Sequence, residues 1–287
     1  MGSKIIYYII ILPISRLPYV LIYTFSNFIF FVIYRILKYR NNVIEDNFRK
    51  SFPNKKNEEI TFLKKQFYKH FADIIIESLK GFTISKKNII QRLTVQNQEL
   101  LDHYYNQNKN VILVGGHYNN WEICGQCAPI HCKHDLIAIY KPLSNKFFDH
   151  KMRKSREKFG LSMVPMKQAK RHFKTNNTKP FGIIFGSDQS PSNPKKAYWT
   201  KFLNQDTGVL FGAEKYAKEF DWPVIYVGIT KIKRGYYTVN YELVSETPSK
   251  EKHGIITEKF TQLLEKDIIK APQFYLWTHR RWKHKKP

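Results

Sequence analysis

Acidic side chains are scarce in this sequence: 23 Asp and Glu stand against 48 Lys and Arg, leaving a formal charge of +25 over 287 residues. Such an excess predicts attraction to polyanions, whether nucleic acid, an anionic membrane surface or an acidic protein partner. Cysteine is scarcer still. The three present, Cys124, Cys127 and Cys132, are odd in number and clustered, which argues against a disulfide framework and for a reducing compartment. With His131 and His134 beside them a zinc site is the sharper reading, but no second pair lies at finger or ribbon spacing, and small buried thiols on a helix are the plainer one. The pattern G-x-S-x-G is missing, so no serine nucleophile elbow is expected. Internal repeats and low-complexity tracts are also absent, leaving one large domain, or one domain plus an appendage.

Apolar and aromatic residues are plentiful. Phe (21) and Tyr (18) suit an interfacial or acyl-chain-binding protein at least as well as a base-stacking one. From Ile5 to Leu37 the chain is dominated by Ile, Leu, Val, Phe and Tyr, interrupted at Pro13, Arg16 and Pro18. The uninterrupted part, Leu17 to Tyr34, approaches the roughly 20 residues a bilayer requires, and Arg35, Lys38 and Arg40 follow it. A signal peptide would have a shorter apolar region and a small-residue cleavage site. The alternatives are a membrane anchor over residues 1–40, spanning or deeply interfacial with its basic flank on the cytoplasmic side, or a buried core helix.

Residues 41–287 read as an α/β domain. Apolar residues at Ile60, Leu63, Phe67, Phe71, Ile74, Ile75 and Leu79 recur at intervals of three and four, an amphipathic helix ended by Gly81. Short strands are expected near Leu93 to Val95, Val111 to Val114, Leu136 to Tyr140 and Phe181 to Phe185, and helices near Glu99 to Tyr105, Thr207 to Phe220 and Ile255 to Ile269. Val224 to Thr230 and Tyr236 to Leu243 flank the turn KRG as a hairpin. Repeated β then α units imply a mixed sheet flanked by helices.

The stretch VILVGGHYNNWE, residues 111–122, carries the chemistry. Four β-favouring residues enter a double glycine; His117 then stands at the carboxyl end of a buried strand, where open α/β sheets place ligands. Asn119 or Asn120 can cap a helix whose first turn holds Glu122. Histidine can take a proton from a hydroxyl near neutral pH, and Glu122 is expected to fix its tautomer and stabilise the imidazolium. Spacing alone also allows a purely structural pair. Lys141 and Arg156 could bind an anionic headgroup or a developing oxyanion, or be merely solvated. Asp188 and Gln189 close another strand and could face the same crevice, or serve only as a turn or cap.

GGHYNNWE resembles the His-x4-Asp/Glu signature of glycerolipid acyltransferases, in the GH-x-x-NWE form of the lipid A late acyltransferases of Gram-negative bacteria. YRNNVIEDNFRKSFPNKKNEE, IYKPLSNKFFDHKMRKSREKFG, GSDQS, DTGVLFGAEKYAKEFDWPVIYV and APQFYLWTHRRWK are similar to that family's other blocks, in order and over nearly the whole chain. The resemblance implies a glycerolipid acyltransferase-like fold and transfer of a fatty acyl group from an acyl carrier protein or coenzyme A thioester to a hydroxyl of a lipid A precursor. It implies no cofactor. His117 would be the general base, Glu122 its partner and Arg156 a cation for the oxyanion. Lys141 stands where the family often has Arg, which removes a bidentate contact there. The implied place is the cytoplasmic face of the inner membrane, with acyl carrier protein, a glycolipid and anionic lipid, rather than nucleic acid, as partners of the basic surface and of the tail ending in Lys286. An acceptor of another kind, a lysophospholipid or aminolipid, fits the same residues. A basic binding module without catalysis would need an RNA-reading pattern that the sequence does not have.

Overall fold

The computed structural model describes residues 2–173 and 179–286. Its core is a seven-stranded sheet in the order β1-β9-β8-β2-β5-β3-β4. These strands are β1 (Leu93–Val95), β2 (Val111–Gly115), β3 (Asp135–Tyr140), β4 (Ser162–Pro165), β5 (Phe181–Gly186), β8 (Val224–Lys233) and β9 (Tyr236–Ser245). Every neighbouring pair is parallel except the hairpin β8/β9, so the sheet is mixed as the alternating pattern requires. A separate antiparallel hairpin pairs β6 (Tyr198–Phe202) with β7 (Gln205–Val209).

Helices cover both faces. The helices of eight or more residues are α1 (Tyr19–Phe31), α2 (Asn41–Ser51), α3 (Asn57–Gly81), α4 (Glu99–Asn106), α5 (Trp121–His131), α6 (Lys146–Arg156), α7 (Gly212–Phe220) and α8 (Ile255–Lys270). Successive side chains of a strand point to opposite faces, and β2 is buried along nearly its whole length. Ile112 and Val114 therefore join the core formed with Phe48, Phe67, Ala213, Phe260 and Leu264. Val111 and Leu113 join the opposite core with Leu101, Tyr104, Ile123 and Cys127. A strand apolar on both faces and flanked by two parallel neighbours is the interior strand the sequence announces.

Two elements depart from expectation. The helix read from Thr207 starts at Gly212, because 205–209 pair as β7. β4 has no marked apolar run and forms as an edge strand on β3. The segment WTHRRWKHKK, expected as a basic tail, is largely folded in. Trp277 is fully buried against Phe48, at a centroid distance of 4.3 Å, and the Asn47 amide donates to the carbonyls of Trp277 and His279. Lys286 remains exposed.

The apolar N-terminal stretch is helical. Tyr19–Ile36 is long and apolar enough to cross a membrane, with mean hydropathy 1.6, and only 11% of it is buried. That excludes a core helix. One stripe of α1 lies on α3, where Ser26 donates to Asp73 (2.7 Å) and Tyr23 to Glu77 (2.9 Å). Val20, Leu21, Phe25, Phe28 and Phe31 point outward and are exposed.

Candidate active site

The register of two neighbouring strands builds the site. In the parallel pair β2/β5, Gly115 lies opposite Gly186. Both strands end there, so His117 and Asp188 follow at the same level on adjacent loops. Two features let the loops close on one another. The Ser187 N–H donates to the Gly115 carbonyl (3.1 Å). A Cβ at residue 186 would stand only 3.2 Å from Cε1 of His117, tighter than ordinary packing.

Asp188 grips His117 at two points. Its Oδ1 is 2.7 Å from His117 Nδ1, and its Oδ2 accepts the His117 backbone N–H at 2.9 Å. A carboxylate on Nδ1 places the ring proton there and leaves the Nε2 lone pair available. The Gln189 amide stands 3.2 Å from that Nε2 as a donor, and Trp121 meets the ring edge-on at 5.1 Å. Asp188 is nearly fully buried, whereas 23% of the His117 side chain is exposed.

Burial acts to depress the His117 pKa, but the charge and hydrogen bond of Asp188, aided by the field of Glu122, outweigh it and raise the pKa above its ordinary value. Burial conversely pushes Asp188 up, and His117, through its charge and two hydrogen bonds, overrides this with help from Arg281. Asp188 is therefore held below the usual carboxylate range.

The expected pairing of His117 with Glu122 is not what the fold makes. Asn120 caps α5, its Oδ1 accepting the Ile123 N–H at 3.0 Å. The first turn then lays Trp121 on the histidine and sends Glu122 to α6. There Glu122 forms a two-pronged pair with Arg156, through Nε at 3.0 Å and Nη2 at 2.5 Å. Arg156 is thus committed to a carboxylate instead of standing as a free cation. Lys141 is exposed beyond β3 and makes no hydrogen bond or ion pair with this group among the described residues. Asp188 and Gln189, expected as strand-end candidates for oxyanion or substrate binding, hydrogen-bond to the two ring nitrogens of His117.

Residues that the sequence reading assigned no role support the dyad from below. Arg281 is buried, donates to the Gly208 carbonyl (2.7 Å) and adds positive charge beneath Asp188. His279 accepts the Ser190 N–H through Nε2 (2.9 Å), a role for neutral imidazole, and burial lowers its pKa accordingly. Their sequence signal was the block APQFYLWTHRRWK, which contains both residues.

The cysteines lie away from this chemistry. Cys124 and Cys127 sit on the buried side of α5, and burial pushes both thiols up to about 12. Among the described residues no three His, Cys, Asp or Glu side chains gather as metal ligands.

The fold and the dyad can be set beside known proteins. A model of the bacterial lipid A biosynthesis acyltransferases matches residues 2–284. The chain is 22% identical over 257 residues to the lipid A biosynthesis palmitoleoyltransferase of Escherichia coli K12, covering 86% of this chain and 80% of that protein. It is 23% identical over 252 residues to a lipid A biosynthesis acyltransferase of Haemophilus influenzae, covering 85% and 78% respectively.

Proposed function

The chain belongs to the bacterial lipid A biosynthesis acyltransferase family, and from that premise we propose that it moves a fatty acyl group from an acyl carrier thioester to a hydroxyl of a lipid A precursor. The observation that carries the mechanism is the 2.7 Å contact of His117 Nδ1 with Asp188, which leaves Nε2 as the base. The acceptor hydroxyl displaces the Gln189 amide from Nε2 and gives its proton to that nitrogen as its oxygen attacks the thioester carbonyl. Asp188 holds the tautomer and stabilises the imidazolium.

The tetrahedral oxyanion needs donors at the moment charge develops. Arg156 uses Nε and Nη2 on Glu122, which orients the guanidinium so that Nη1 can meet substrate. Glu122 is then a positioning residue. Collapse expels the carrier thiolate, which takes the proton back from His117, so ester and thiol leave and the dyad is restored. Acyl carrier protein, being acidic, suits the +25 chain as donor.

Membrane seating of residues 1–40 is part of this reading. The outward Phe25, Phe28 and Phe31 of α1 are the side chains a bilayer would cover, leaving residues 41–287 on the cytoplasmic side with the thioester pool. The test is to incubate membranes carrying the protein with labelled acyl carrier protein or acyl coenzyme A and a panel of glycolipid, lysophospholipid and aminolipid acceptors, then identify products by mass spectrometry. Acylated lipid A precursor, lost in His117→Ala, is the expected result. Transfer that survives in the folded variant rules out His117 as the base.

A further inference from the structure

A second cleft opens at the same edge of the sheet. It encloses about 650 Å³ between α1, α3, the β8/β9 turn and the segment after α8, a volume within the range of small-molecule sites. β8 runs parallel to β2 with Tyr226 opposite Val114, and Lys231 lies five residues further along, about 16 Å at the rise of a strand. It therefore projects beyond the carboxyl ends of the strands, the side on which His117 also stands. Phe274 joins the two sites: its ring lines the cleft, while its carbonyl accepts the N–H of Asn119 at 2.9 Å.

Three cations, Lys69, Lys231 and Arg234, line this cleft with a single carboxylate, Asp73. Arg234 takes Asp73 Oδ1 through Nε (2.9 Å) and Nη2 (2.6 Å). Lys231 is left with long contacts, 3.4 Å to Asp73 Oδ2 and 3.3 Å to His70 Nδ1, although only 13% of its side chain is exposed. Burial, with Lys231 next to it, pushes His70 well below its ordinary value, so it contributes no negative or positive charge at neutral pH. Lys69 has no carboxylate partner among the described residues and stands 5.9 Å from the Phe30 ring. A tie between α1 and α3 would need one cation for Asp73. The other two have the charge and the freedom to bind a dianion.

The rim indicates what kind of dianion. Asn27 and Phe30 of α1 line one wall, and the same helix carries the exposed apolar side chains Phe28 and Phe31, each within a turn of a lining residue in sequence. Gln66 and Gln273 add amide groups suited to hydroxyls. We propose that this cleft binds the phosphate headgroup of a lipid whose chains lie along α1, with Lys69 and Lys231 as the phosphate ligands and Arg234 held on Asp73 and Asn27. In calling that lipid the acceptor we rest on the acyl-transfer reading; the binding site itself does not.

The test is calorimetric titration of the detergent-solubilised full chain with dihexanoyl phosphatidic acid, dihexanoyl phosphatidylcholine and inorganic phosphate. Phosphatidic acid is expected to bind, with phosphatidylcholine and free phosphate at least tenfold weaker. Lys69→Glu and Lys231→Gln should each weaken phosphatidic acid binding about tenfold or more, the loss typical of a charge-assisted contact. Lys69 is exposed, so its variant keeps the fold testable. Equal binding of phosphatidylcholine, free phosphate as tight as phosphatidic acid, or wild-type affinity in both folded variants would overturn the proposal. His117→Ala should bind as the wild type does. An inactive wild-type protein that still binds phosphatidic acid in this way would remove the acyl-transfer reading and leave the phosphate site standing.

Discussion

Nδ1 of His117 and Oδ1 of Asp188 are 2.7 Å apart although 71 residues separate them in the chain. The pairing of Gly115 with Gly186 sets both side chains at one level on adjacent strand ends. The contact follows from sheet register, so any change that spares the register but alters the carboxylate tests its chemistry directly.

Asp188→Asn should lower kcat by about 10²–10⁴-fold, the range associated with a positioned base, with a smaller change in KM. Glu122→Gln should cost less, because Glu122 reaches His117 only through its field. Steady-state kinetics of the two variants decide between them. A larger kcat loss in Glu122→Gln would return Glu122 to the role of histidine partner.

The pH profile of kcat/KM should rise as His117 loses its proton, and its acidic limb should lie above 6.5 because the folded pKa is raised from that value. In Asp188→Asn the limb should move to lower pH, since burial then acts without its counterweight. Stability carries the opposite sign. A raised histidine pKa contributes stability that is complete below 6.5 and is lost as pH rises through the folded value. Asp188, lowered from 3.8, contributes stability above that value which is lost as pH falls through its folded pKa. Chemical denaturation from acid to alkaline pH should show both losses reduced in Asp188→Asn.

Gly186→Ala should lower kcat by roughly tenfold while leaving the melting temperature within a few degrees. The added Cβ would meet Cε1 of His117 at 3.2 Å, and the ring, tied to Asp188 twice, can yield only by leaving its position. Unchanged turnover would show that the ring is free to move.

Breaking the Glu122 and Arg156 pair should destabilise the fold by about 1–3 kcal/mol, the usual cost of stranding a half-buried charged partner. The double variant Glu122→Gln with Arg156→Gln should lose less than the sum of the single losses, measured by urea denaturation.

Replacing Phe25, Phe28 and Phe31 together by Ser should release the protein from membranes. These residues are 41–63% exposed and belong to none of the three buried apolar clusters of the described residues. Flotation on vesicles measures the effect, and circular dichroism checks the fold.

Local features were legible in short stretches of sequence. Alternating strands and helices, the interior strand Val111–Gly115, the glycine turn before His117 and the apolar N-terminal helix all follow from residue patterns a few positions long. Ordered motifs over the chain were enough to indicate the family. Tertiary structure decided what depends on distance along the chain. Glu122 was the near carboxylate and Asp188 the far one, yet a helix cap at Asn120 turns Glu122 toward Arg156 while strand register delivers Asp188. The segment WTHRRWKHKK read as a basic tail because charge dominates its composition, but Trp277 is buried against Phe48 and Arg281 is buried where its charge acts on Asp188. The cationic cleft had no sequence signature, since its charges come from α3 and from β8 with its following turn and meet only when α1 lies across them. Short-range patterns set what each segment becomes; which side chains share a site is set by register and packing, which no local pattern contains.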